Sequence, residues 1–446
     1  TIYNSSQVDR TYSEIMSLGY FKSARIVFEE LPQEKEPLVS HYAGEGKEAY
    51  SPKKFEDIDE GRLKCYILCS PTLKQGLRME VEGSTTSSFY GLSATLGYQN
   101  RNLFRGVETF NAALTFGYEY MKGANVLRRR ANEVGVSVGM QFPRFISPFN
   151  IPTRNINMPR TNLELSFNYQ DRPYYRRDLS SAVWTYSWRN QKSSSFVIRP
   201  IGINWVNVSY IDQDYFNSLQ NEYLKHSFES QLIVAISGSY IYDNKHKLSP
   251  NNHTTVRVNT EISGNLINGL EHLFSQPAAG KDYYEILGIR YSQYVRADIS
   301  ASHKVMFGKV SALAARLYAG VGYAYGNSDA MPFDRLFYAG GSNSMRGWAP
   351  RTLGPGSSAA PTNVVYPTQM GDMKLEANLE FRFPIWDMFQ GAAFFDVGNI
   401  WYIKRNGVEY PAGSVFSFNN FYKQLAFNTG IGLRLDIQFA ILRLDW

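Results

Sequence analysis

Nowhere in its 446 residues does the chain hold an apolar run near the roughly 18 residues a membrane-crossing helix needs; stretches such as Leu232 to Ile236 fall far short. With a mean hydropathy of -0.33, a helical membrane protein is excluded. The two cysteines, Cys65 and Cys69, are too few for a disulfide framework. They share one face of a strand-like segment, and at about 3.3 Å rise per residue they stand about 13 Å apart, too far to bridge. They read as small packing residues. Of six histidines, His246 and His253 lie in one polar turn, seven positions apart, which is not metal-ligand spacing. A net charge of +6 is spread along the chain and leaves no nucleic-acid footprint. There is no Gly-x-Ser-x-Gly elbow, since Gly341-Ser342-Asn343-Ser344 is not one, and no phosphate-cradling loop. No catalytic residue, metal or cofactor is expected, and the chain does not read as an enzyme. No signal peptide opens it and Thr1 starts inside an element, so the N-terminus reads as trimmed.

What the chain does have is aromatics, 15% of it, with 31 Tyr and 28 Phe, and long stretches of period-two alternation. Residues 1–75 differ from the rest. There Ser6 is placed to cap a helix from Gln7 to Leu18, with Val8, Tyr12, Ile15 and Met16 on one face and Gly19 as its stop. A strand carrying Ala24, Ile26 and Phe28, a long polar loop from Gln33 to Gly61, and a strand carrying Leu63, Cys65, Ile67 and Cys69 complete a small α/β unit. From residue 76 to 446 alternation takes over. Ala112, Leu114, Phe116, Tyr118 and Tyr120 alternate with polar or small partners, as do Leu375, Ala377, Leu379, Phe381 and Phe383 with Glu376, Asn378, Glu380 and Arg382. Such a period puts one face in hydrocarbon and the other in a polar lumen. About fifteen strands are expected, from near 77–84 to near 439–446, with others near 181–189, 227–242 and 283–299. Closed bacterial barrels use even numbers, so the expectation is an all-β transmembrane barrel of about 16 antiparallel strands whose last strand is missing. Odd-numbered connections become outer loops, several with short helical or charged patches such as Asn217 to Lys225 and Leu266 to Phe274. Arg128-Arg129-Arg130 and Arg176-Arg177 are assigned to loop tips, and the interface Tyr and Trp residues to an aromatic girdle.

Residues 325–370 form the loop after the eleventh strand, and there Arg346 stands in a Gly- and Pro-rich segment. A lumen arginine needs an acid. If the following turn centres near Asp387, Glu380 faces Phe394 and lies diagonal to Asp396. Diagonal neighbours are roughly 7–8 Å apart, a gap one guanidinium can bridge.

At this point the residues match a family. Met345-Arg346-Gly347-Trp348 resembles the Val/Ile-Arg-Gly-Phe/Tyr signature in the sixth loop of the BamA/TamA surface-antigen superfamily. Phe337-Tyr338-Ala339-Gly340-Gly341 precedes it and Leu353-Gly354-Pro355-Gly356 follows, as in that family. Leu379 to Ile385, Phe394 to Trp401, and Gly430 to Arg434 with Leu442 to Asp445 resemble its later strands. Leu18-Gly19-Tyr20-Phe21-Lys22 looks like the second half of a last POTRA domain, which makes residues 1–75 a partial, periplasmic POTRA. Residues 101–106 and 172–177 look most like the TamA-like lipoprotein (TamL) branch of Bacteroidota, or BamA. The resemblance implies an outer-membrane protein of a Gram-negative bacterium with its loop arginine docked on acidic wall residues. It also implies insertion and folding of β-barrel proteins, or export through a barrel seam. The partners it implies are lipids and lipopolysaccharide, nascent β-barrel proteins, and periplasmic or lipoprotein partners met through the POTRA piece. The rivals are a dedicated two-partner secretion transporter and, in another class, a passive pore or barrel lipase.

Overall fold

The computed structural model describes residues 3–31, 62–85, 89–121, 130–148, 157–190, 193–218, 225–226, 228–245, 252–274, 282–307, 311–358, 369–386, 388–437 and 441–446. The polar stretch 33–61, Arg128, Arg129, His246 and residues 219–224 of the helical patch lie outside these. The chain divides into two units, Thr1–Lys74 and Gln75–Trp446.

In the first unit, helix α1 (Ser5–Ser17) precedes strands β1 (Phe21–Glu30) and β2 (Leu63–Pro71), which pair antiparallel with Phe28 opposite Cys65 and Ala24 opposite Cys69. The cap is Asn4 rather than Ser6: the Asn4 carboxamide oxygen accepts from the Ser6 N–H at 3.0 Å and from Gln7 N–H at 3.4 Å. Asn is as good a cap as Ser, and it sits one turn edge earlier, so the helix starts two residues sooner than expected. Gly19, at φ +69°, ends it in the left-handed region. Cys65 is exposed and Cys69 half-buried, so packing does not account for Cys65.

The second unit is one antiparallel sheet of 15 strands. Its first five are β3 (Gln75–Thr85), β4 (Phe89–Arg101), β5 (Thr109–Met121), β6 (Arg130–Phe142) and β7 (Asn157–Asp171). Next come β8 (Tyr175–Asn190), β9 (Ser194–Ile211), β10 (Gln231–Asp243) and β11 (Asn252–Ser263). A two-residue hairpin, β12 (Glu285–Ile286) and β13 (Ile289–Arg290), stands outside the sheet. The ladder resumes with β14 (Tyr294–Phe307), β15 (Ser311–Ala324), β16 (Met373–Trp386), β17 (Phe389–Trp401), β18 (Ala426–Asp436) and β19 (Ile441–Asp445). Strand neighbours follow chain order throughout, so each connection is a local up-and-down link.

The alternation resolves as two faces. Phe116, Leu165, Leu317, Phe381, Phe395 and Ile431 are all exposed, while Glu376, Glu380 and Asp396 on the opposite face are buried. A sheet that hides its acids and bares its Phe and Leu is turned inside out relative to a soluble protein, as lipid requires. Most connections at one set of strand ends are short, as between β8 and β9, β14 and β15, and β16 and β17. The other set carries long loops, which contain helices α2 (Gln213–Ser218) and α3 (Asn265–Phe274). Between these loops Tyr175, Tyr215, Phe228, Met331, Phe333 and Tyr402 pack into a buried cluster.

Two expected boundaries moved. Residues 283–299 are not one strand: the loop hairpin takes 285–290, and β14 runs on to Phe307. Arg176 and Arg177 are not loop tips; the connection before them is so short that they enter the β7–β8 ladder, opposite Asp171 and Gln170. Arg177 then reaches Asp334 at 3.2 Å, with its guanidinium over the Tyr175 ring.

Candidate functional site

Glycine sets the path of the loop after β15. Gly340 and Gly341 have φ of +100° and +99°, and a Cβ on Gly340 would meet the Ala349 carbonyl oxygen at 2.2 Å. The loop there folds on itself: Gly341 N–H donates to the Trp348 carbonyl at 2.8 Å, and Trp348 N–H to the Met345 carbonyl at 3.1 Å. Met345 is fully buried with Ala339, Leu353 and Ile400, and Trp348 packs against that cluster. Met345 and Trp348 thus fix the two-residue step, Arg346-Gly347, between them.

Arg346 points at the inner face of β16 and β17. Its Nε donates to Asp396 Oδ2 at 2.8 Å, Nη2 to Asp396 Oδ1 at 2.7 Å, and Nη1 to Glu380 Oε2 at 2.8 Å. Its backbone N–H adds a bond to Asp396 Oδ2 at 3.3 Å, and the guanidinium lies 3.5 Å from the Phe394 ring centroid. The register explains the fit: Glu380 faces Phe394, Asn378 faces Asp396, and the two acids are diagonal neighbours. Fork-on-carboxylate pairing is the strongest form of charge-assisted bond. Both ends are withdrawn from water, the Arg346 side chain at 8% exposure and Asp396 at 0%. Gly347 leaves no room for more, since a Cβ there would stand 3.0 Å from Asn428 Cβ on β18.

Around this pair lies a polar lattice. Asn378 Nδ2 bridges the Ser344 carbonyl (3.0 Å) and Asp396 Oδ1 (2.9 Å), and Asn428 Nδ2 reaches Asp396 Oδ2 at 3.2 Å. Glu380 also takes Arg382 at 2.6 Å and a short contact from Arg434. Lys374 bonds Glu376 at 2.8 Å and Ser344 Oγ at 3.1 Å. Arg316 and Arg443 donate to the Asn343 and Ser342 carbonyls. Sequence reasoning brought Arg346, Glu380 and Asp396 together but missed Glu376, Asn378, Arg382, Asn428, Arg434 and Arg443. The signal was there: Glu376, Asn378, Glu380 and Arg382 are successive inward positions of one strand. Among the described residues no group of His, Cys, Asp and Glu could hold a metal ion. No described helix is long and apolar enough to cross a membrane, which says nothing of the strands.

A family model described as the Omp85 superfamily domain matches residues 72–446. The chain belongs to the Omp85 superfamily. Omp85 proteins are outer-membrane insertases and transporters rather than enzymes, and they handle nascent β-barrel or secreted substrates. Compared with curated protein sequences, this Omp85 chain matches none. Among solved structures it is similar to BamA from Haemophilus ducreyi lacking POTRA domains 1–3, with 14% identity, TM-score 0.60, and coverage of 99% of this chain and 74% of that one. CdiB from Acinetobacter baumannii is more distant, with 11% identity, TM-score 0.48, and coverage of 97% and 62%. At such identities the BamA likeness speaks to fold alone.

Proposed function

We propose that this Omp85 protein inserts and folds β-barrel proteins in the outer membrane. The observation that supports the reading is the anchored turn Met345-Arg346-Gly347-Trp348, which fastens the long loop to β16 and β17 while β19, the end of the ladder, reaches the same turn through Arg443. Nascent strands carry unpaired backbone groups that cannot enter lipid alone. The edge strands β3 and β19 can template such a strand by hydrogen bonding, while the docked loop holds the wall beside them rigid. No nucleotide is consumed in this scheme. Residues 1–75 act as the partial POTRA on the periplasmic side, receiving a client or a lipoprotein partner by strand addition. Lipids and lipopolysaccharide contact the exposed apolar band, and the TamA-like lipoprotein branch is the proposed subfamily.

Purified protein in liposomes should speed the folding of an unrelated test barrel severalfold over empty vesicles. No acceleration by a heat-resistant, folded preparation rejects the reading. Export of one dedicated client with no effect on the test barrel would instead identify a secretion transporter, and bare conductance a passive pore.

A further inference from the structure

Beside the docked turn, at the short-turn end of the lumen, lies a cavity of about 520 Å3. Ser342, Asn343 and Ser344 of the turn line one side of it. The wall is made of residues toward strand ends: His253 is second in β11, Lys304 lies three residues before the end of β14, and Arg382 lies in the last third of β16. Small inward residues such as Ser302, Thr255 and Ala314 leave the space unfilled.

Its charge is unbalanced. Lys304, Arg316, Arg346, Arg382 and Arg443 line it against one carboxylate, Glu380, which already serves Arg346, Arg382 and Arg434. Arg316 pairs with Glu376 at 3.5 Å, Arg443 with Asp445 at 3.1 Å, and His253 with Asp243 at 2.9 Å. Among the described residues Lys304 forms no ion pair. No lining side chain is a larger aliphatic or aromatic group, so nothing here cradles an acyl chain.

We propose that this cavity binds an acidic polypeptide segment, whose carboxylates meet Lys304, Arg316 and Arg443. The cations are spread rather than focused. With strands about 4.8 Å apart and a two-residue stagger across β15, Lys304 on β14 and Arg382 on β16 are separated by roughly 12 Å at the backbone, more than one phosphate spans. A chain with carboxylates at intervals reaches both. Occupancy is coupled to the loop, because Arg316 and Arg443 hold the Asn343 and Ser342 carbonyls. Carboxylates competing for those guanidiniums loosen the turn that Arg346 anchors. The site stands whether the barrel inserts clients or exports them.

The test uses the full chain in detergent micelles and a fluorescent ten-residue Asp/Glu peptide, read by anisotropy, with a Gly/Ser peptide of equal length as control. The acidic peptide should bind saturably and the control should not. Lys304→Glu should weaken binding about tenfold or more, as reversing a facing charge does. Arg78→Glu, a reversal on β3 away from the cavity, should leave it unchanged; a retained heat-modifiable gel shift shows each variant folded. Equal binding of the Gly/Ser peptide, or equal loss in Arg78→Glu, overturns the proposal. So does displacement of the peptide by inorganic phosphate at equal charge, which would make this a small-anion site.

Discussion

Arg346 and Asp396, 50 residues apart, meet through two parallel bonds of 2.7 and 2.8 Å, and Arg346 is the one cation among the described residues that pairs with this fully buried carboxylate. Glu380 differs: three guanidiniums share it. One acid belongs to the loop, and the other belongs to the wall as well.

Arg346→Ala therefore leaves Asp396 buried with only amide donors. Breaking a buried pair from one side costs on the order of 3–5 kcal/mol. That loss should fall on loop docking, with the barrel intact. Limited proteolysis should cut residues 337–356 far faster than in the parent, while heat-modifiable mobility is retained and client folding drops. Parental protease resistance would show that the pair does not hold the loop.

Asp396→Asn and Glu380→Gln should separate. The first should reproduce Arg346→Ala and add little to it, since in a double-mutant cycle the two act on one contact. The second removes the carboxylate that pairs with both Arg382 and Arg434 and should lower the thermal midpoint of the barrel itself. Equal midpoints for the two variants would refute the division of roles.

Gly340→Ala tests the path rather than the charge. At φ +100°, with the Ala349 carbonyl oxygen 2.2 Å from the added Cβ, the turn must shift. Left-handed strain of about 1–3 kcal/mol plus that clash should undock Met345 and mimic Arg346→Ala in proteolysis.

Leu317→Arg tests which face meets lipid. Leu317 is 63% exposed on the apolar face of β15, next to inward Arg316. An arginine on the lipid face near the midplane costs about 2–4 kcal/mol. Urea unfolding in phospholipid vesicles should show it, and a stability within error of the parent would place Leu317 away from hydrocarbon.

Outside the membrane, His226 carries a pH dependence. Its hydrogen bond to Glu229, at 2.7 Å, holds its pKa above the ordinary value against partial burial. A raised histidine pKa stabilises below the unfolded value of about 6.5, and that contribution vanishes as pH climbs through the folded pKa. Imidazole NMR should give a titration above that of Glu229→Gln, and proteolysis of residues 212–230 should quicken from pH 6.5 upward. Because the pair is nearly half exposed, the effect should be modest.

The sequence by itself determined the strand count, the two faces and the diagonal placement of Glu380 and Asp396, because side-chain direction in a strand repeats every two residues and a short turn fixes register. It also singled out Arg346, directly before Gly347 in a Gly- and Pro-rich loop. Only the tertiary structure decided what else converges there. Arg434 and Arg443 come from strands that neighbour β16 only through the ladder, and no local pattern states which inward residues a folded-back loop will touch. Arg177 was misplaced for the same reason: a charge reads as loop until an inward-facing partner, here Asp334, is there to receive it.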